Sequence, residues 1–158
     1  MSVIQPSGKT SYLLDTNVFN KLLDRVLKSE ELPTDGEFVV THLQIDEINK
    51  TSDAERRVGL VLVQTALRVQ LVPTETMVFD VSRFDHAKLS DGKVYTELKN
   101  SLDALNKSKS NNVHDALIGE VGIVNGYTLI TADRDLAKVV VDMGGKVLLI
   151  QPQAKPKR

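Results

Sequence analysis

Residues 127–150 read YTLITADRDLAKVVVDMGGKVLLI, and the order of signals along them decides the fold. Tyr127–Thr131 is a short apolar run of strand character, Asp135–Met143 has helical spacing, and Gly144-Gly145 ends that helix before a second strand at Lys146–Ile150. A strand, a short helix and a strand in this order place the two strands parallel in one sheet. Upstream, Val113–Val124 is helical through Ala116, Leu117, Ile118, Val121 and Val124, and Asn125-Gly126 stops it. The polar tract Asn106–Asn112 precedes it, with helical pieces expected near Val78–Leu89 and Lys93–Leu105. A long helical pattern runs from Ala54 to Leu71, with Val58, Val61, Leu62, Thr65, Ala66 and Val69 on one side. Phe38–Val40 is a buried strand after the turn Pro33-Thr34-Asp35-Gly36, and it leads into a short helix through Leu43, Ile45 and Ile48. At the start, Tyr12-Leu13-Leu14 is a strand ending at Asp15, followed by a helix from Asn17 to Leu27.

Strands alternating with helices predict one α/β domain, a parallel sheet sandwiched between helical layers. The expected organisation is an N-terminal arm at 1–11, a single domain at 12–150 and a disordered basic tail at 151–158. The chain of 158 residues is one domain in size, and its 41% hydrophobic and 26% charged content is ordinary for a globular protein. A net charge of −1 gives no global basic field, so a nucleic-acid partner would be held locally. The absence of cysteine excludes disulfides, thiolate zinc sites and cysteine nucleophiles. No signal peptide or membrane span is legible, and a cytoplasmic location is expected.

In open parallel sheets ligands bind beyond the carboxyl ends of the strands. Asp15 closes the first strand, Asp46 and Glu47 lie on the helix after the second, Asp115 begins the helix before the Tyr127 strand, and Asp133 and Asp135 follow that strand. Carboxylates gathered there repel one another unless a cation joins them. Mg2+ or Mn2+ prefers such oxygen ligands, and an ion held this way suits phosphodiester hydrolysis.

These residues resemble the PIN-domain nucleases, a family that includes the VapC-type toxins of toxin–antitoxin pairs. Asp15 in LLDTNV resembles the family's opening strand and aspartate, and Glu47 in THLQIDEI its second block. Asp115 in HDALIGEVGIVNG resembles the third, and LITADRDL the fourth. The resemblance implies a five-stranded parallel sheet between helices and an endoribonuclease using Mg2+ or Mn2+. It further implies Asp15, Glu47, Asp115 and Asp133 as catalytic metal ligands. A cognate antitoxin and a homodimer are implied partners; the apolar side of the Val58–Val69 helix is expected to face the core, with a dimer interface as the second reading. The stretch from Phe79 to Asn112 is longer than in compact toxins of the family.

Each residue also has a plainer reading. Asp15 alone could be a helix N-cap, and Asp115 could simply favour a helix dipole. Helical periodicity does not choose between Asp46 and Glu47; the resemblance chooses Glu47. Asp133 is preferred to Asp135, which serves as a second ligand or as the cap of the next helix. Thr16, Asn17 and Thr131 orient a carboxylate or a metal-bound water, or are turn residues. Glu120 falls about 140° around the helix from Asp115 and lies outside the site. For RNA, Lys107, Lys109 and Arg134 are the candidate phosphate contacts, with Lys155, Lys157 and Arg158 weaker, while His114, next to Asp115, reads as a surface residue first and as a substrate contact second. Ser7-Gly8-Lys9-Thr10 is no phosphate loop, because Val3 stands where glycine is needed and a strand follows. A phosphoaspartate hydrolase would want a second Asp where Asn17 stands. The remaining competitor is a non-catalytic scaffold of PIN type that binds RNA or protein.

Overall fold

The computed structural model describes residues 9–76 and 92–151. Parallel strands β1 (Thr10–Leu14), β2 (Gly36–Val40), β3 (Gln70–Leu71), β4 (Thr128–Thr131) and β5 (Lys146–Leu149) form one sheet ordered β3-β2-β1-β4-β5. Helices α1 (Thr16–Leu23), α2 (His42–Asn49), α3 (Ala54–Leu67), α4 (Lys93–Asn106), α5 (Asn112–Asn125) and α6 (Arg134–Asp142) cover it. β1 is central, and its alternating side chains feed both layers. Leu13 joins a core with Leu98, Leu117, Val121 and Leu136, while Leu14 joins another with Phe19, Ile48 and Leu60. Residues one apart on a strand point to opposite faces, so this division follows from β1 itself.

Two glycines set the geometry around the sheet. A Cβ on Gly36 would lie 1.9 Å from the Thr10 carbonyl oxygen, so only glycine lets β2 start flush against β1. Gly126, at φ 71°, ends α5 in the left-handed region and turns the chain into β4.

Several sequence expectations need correction. The first helix ends at Leu23 and not at Leu27, because Arg25 adopts φ 60° and Leu27 turns back into the core at 5% exposure. The pattern from Ala54 to Leu71 is a helix only to Leu67. Arg68 is left-handed at φ 55°, and Gln70–Leu71 form the edge strand β3 on Val39 and Val40. The apolar side expected to face the core, Val58, Val61, Leu62, Thr65 and Ala66, faces outward, with Leu62 at 63% exposure. α3 packs instead through Leu60, Val63 and Leu67. The expected helix Val78–Leu89, most of the N-terminal arm and most of the basic tail lie outside the described residues. No helix among those described is long and apolar enough to cross a membrane.

Candidate active site

At the carboxyl ends of the central strands, Asp15, Glu47, Asp115 and Asp133 line one cavity of about 130 Å³ together with Thr16, Asn17, Asn111 and His114. Four separate segments therefore deliver four carboxylates to one place. Local structure explains each position. Asp15 leaves β1 with its backbone N–H donating to Ile130 O (3.0 Å), which ties it to β4, and it caps α1 by accepting from Thr16 N (2.8 Å). Thr41 and Gln44 form a reciprocal capping box that starts α2. The Gln44 amide also donates to Leu14 O (2.9 Å), locking α2, and with it Glu47, against the end of β1. Asp133 caps α6, accepting from Asp135 N (2.9 Å) and Leu136 N (3.2 Å). The capping role thus belongs to Asp133, and Asp135 sits in the first turn of α6 without lining the cavity.

The first two carboxylates are held by neighbours. The Thr16 hydroxyl donates to Glu47 Oε2 (2.9 Å), and Glu47, not Asp46, lines the cavity. Asp15 Oδ2 accepts from the buried Thr131 hydroxyl (2.7 Å) and the Asn17 amide (3.1 Å). Burial pushes the Asp15 carboxyl up to about 6. The hydrogen bonds from Thr131 and Thr16 N pull it down, and the charges of Glu47 and Asp133 push it further up. Asp115 accepts no hydrogen bond from the described residues. Burial, then the charges of Asp15, Asp133 and Glu47, push it up to about 8, with Lys109 pulling weakly the other way.

The donor set fits a hard divalent cation: it is all oxygen, it is anionic, and it contains a carboxyl raised by its acidic neighbours. Among the described residues no three acidic side chains stand close enough to grip an ion as they are. Asp15 and Glu47 accept hydrogen bonds from Thr16, Asn17 and Thr131, and their carboxylates keep further lone pairs that could meet an ion.

The basic residues are placed differently. Lys107 caps the end of α4 and Lys109 lies in the connection to α5; neither lines the cavity, although Lys109 acts electrostatically on Asp115. Arg134 opens α6 and lines a separate surface groove with Lys138 and Val141. Glu120 is buried away from the cavity, accepting from the Thr76 hydroxyl and Tyr95 N. The sequence reading overlooked three residues. Gln44 was visible as the last position of a Thr-x-x-Gln capping box. Asn112 is fully buried, donating to Asp103 Oδ1 (2.7 Å) and Asn106 Oδ1 (2.8 Å) to fix the start of α5. Asn111 lines the cavity. The last two sit in a tract whose polarity disguised them as a solvated loop.

No family model and no curated protein matches this sequence. Solved structures do match. A domain of a functionally unknown protein from Methanocaldococcus jannaschii superposes with a TM-score of 0.53 at 12% identity, covering 94% of this chain and 96% of that one. VapBC-1 from nontypeable Haemophilus influenzae superposes with a TM-score of 0.55 at 17% identity, covering 89% of this chain and 98% of that one. The fold is PIN-like. VapBC-5 from Mycobacterium tuberculosis, described as a member of the VapBC family of toxin–antitoxin systems, matches at 17% identity over 90% of this chain and 98% of its own, with a TM-score of 0.47. At these identities the likeness concerns the PIN-like fold alone.

Proposed function

We propose that this chain is a divalent-metal-dependent endoribonuclease, with residues 12–150 as the catalytic unit. Asp15, Glu47, Asp115 and Asp133 would hold Mg2+ or Mn2+. The observation that carries the reading is the convergence of these four carboxylates, from four segments, on one cavity where Asp115 is pushed up to about 8. A structural role would leave such mutual repulsion as a pure cost, whereas a bound cation turns it into affinity. When bound, the ion supplies a water of lowered pKa and steadies charge on the phosphate. Thr131, Asn17 and Thr16 hold the Asp15 and Glu47 carboxylates in place by hydrogen bonds, and Asp133 is held by capping α6. Asp135 remains a candidate outer partner, and Lys107, Lys109 and Arg134 candidate contacts for more distant phosphates.

The reading includes a cytoplasmic toxin restrained by a cognate antitoxin, in line with the VapC-type resemblance. An arginine from such a partner could engage the carboxylates bidentately and keep metal out. The expected homodimer belongs to the same proposal, with the exposed side of α3 as an available surface. The test is direct: purified protein cleaves RNA internally with Mg2+ or Mn2+, and a chelator stops it. Protein that binds RNA without cutting it under metal-replete conditions would instead be the scaffold.

A further inference from the structure

We propose that Asn111 and His114 bind the substrate, donating hydrogen bonds to the non-bridging oxygens of the scissile phosphodiester without reading bases. The inference rests on the nuclease reading and deepens it by naming what receives the RNA and which part of it.

An anionic phosphodiester entering a cavity lined by four carboxylates needs hydrogen-bond donors in the wall. Among the described residues no lysine or arginine lines this cavity. Of its non-acidic residues, Thr16 is engaged by Glu47, and Asn17 is engaged on both ends. Its amide nitrogen donates to Asp15 (3.1 Å), and its oxygen accepts from Ala132 N (3.2 Å). Asn111 and His114 remain. Neither side chain hydrogen-bonds to a described residue, and Asn111 stands at the N-cap of α5 without capping it, its backbone already helical at φ −76°, ψ −6°. Asparagine at this position ordinarily turns its side chain onto the helix, so its amide is left for something else. Three residues apart at the start of a helix, the two side chains share one face. Both offer an N–H donor and neither adds negative charge.

The chemistry of the lining points to the part of the RNA they meet. At about 130 Å³ it holds the equivalent of a few waters, each taking roughly 30 Å³ of liquid volume. A phosphate group fits, and its anionic oxygens match the N–H donors that Asn111 and His114 offer. Contacts to phosphate position the chain and carry no sequence information.

The test is steady-state cleavage of several RNAs of different sequence by Asn111→Ala, His114→Ala and Asn111→Asp, with metal-induced thermal shifts recorded for each. Each alanine variant should raise KM about tenfold, the scale of one hydrogen bond to a charged group, by a similar factor on every RNA. Asn111→Asp, of nearly unchanged size, should raise it further by adding a negative charge. The two alanine variants should keep the wild-type stabilisation by metal, which separates substrate contact from metal binding. An unchanged KM overturns the proposal, as does a loss confined to one RNA sequence, which would mean base reading. Loss of the metal shift together with affinity overturns it too, placing these residues in the ion site. Wild type that neither cuts RNA nor responds to metal defeats the nuclease reading itself, a result distinct from any variant behaviour.

Discussion

Asp15 and Asp115 line the same cavity under opposite local conditions. Asp15 is the more deeply buried, yet it reaches only about 6 because Thr131 and Thr16 N donate to it. Asp115 has no such donors and is pushed up to about 8. The difference teaches that burial alone does not set the charge of a carboxyl; the supply of hydrogen bonds to its ionised form does. The β1–β4 side of the site is built to stay anionic. The α5 side becomes anionic only when something positive arrives.

The largest effect should come from the pinned side. Asp15→Asn keeps volume but removes charge, and RNA cleavage should fall by more than about a hundredfold, since losing even an outer partner of a ligand costs roughly 10–100-fold. Near-wild-type turnover by that variant with metal present would remove Asp15 from the site.

The second prediction concerns Asp115. Its pKa rises from 3.8 to about 8 on folding. Between those values the native state holds more protons than the unfolded one, so metal-free stability should fall as pH rises through this window. Metal-free Asp115→Asn should show a shallower decline and melt at or above wild type near pH 8. Saturating metal should stabilise wild type by about 2.7 kcal/mol at a hundredfold excess over Kd, and the variant by much less. A wild-type melting temperature indifferent to both pH and metal would erase the contrast between the two aspartates.

A smaller effect should follow from Thr131→Val, which deletes the donor to Asp15 Oδ2 and leaves Asn17 in place. The pinned carboxylate then moves toward the behaviour of Asp115. Cleavage should drop by about tenfold, at the low end for an outer partner, with the acid limb of the pH profile moving to higher pH as Asp15 loses a donor to its ionised form. Activity equal to wild type would mean that the hydroxyl does not tune Asp15.

The strand–helix–strand unit at 127–150 was legible because its signals are local: apolar runs, helical spacing and glycines that permit left-handed backbone. β3 was not. Gln70–Leu71 is two residues long and exposed, and it exists as a strand only because Val39 and Val40 offer a free edge. α3 misled for a related reason. It carries apolar residues on two sides, and only the packing of Leu60 under α1 and β1 decides which side is buried. Leu62→Lys should accordingly change stability by no more than about 0.5 kcal/mol in a denaturation curve, as for ordinary surface positions. Within the site, Asp46 and Glu47 are neighbours that periodicity cannot separate, whereas the Thr16 hydroxyl meets Glu47. Asn111 and Asn112 look alike in sequence, yet one lines the cavity and the other is buried between helices. Those distinctions live in tertiary contacts.

The order β3-β2-β1-β4-β5 also governs when the site can exist. Strands laid down in the first half of the chain build outward from one side of β1, and those of the second half from the other. Asp15 and Glu47 come from the first half, Asp115 and Asp133 from the second, and the seam between them is the pairing of Tyr12–Leu14 with Thr128–Ile130. That pairing has high sequence separation, the kind of contact that slows folding. A ribosome-bound chain that has not yet released β4 has only half of its carboxylates in place. The four-carboxylate cavity therefore exists only once the two halves of the chain have paired along β1 and β4.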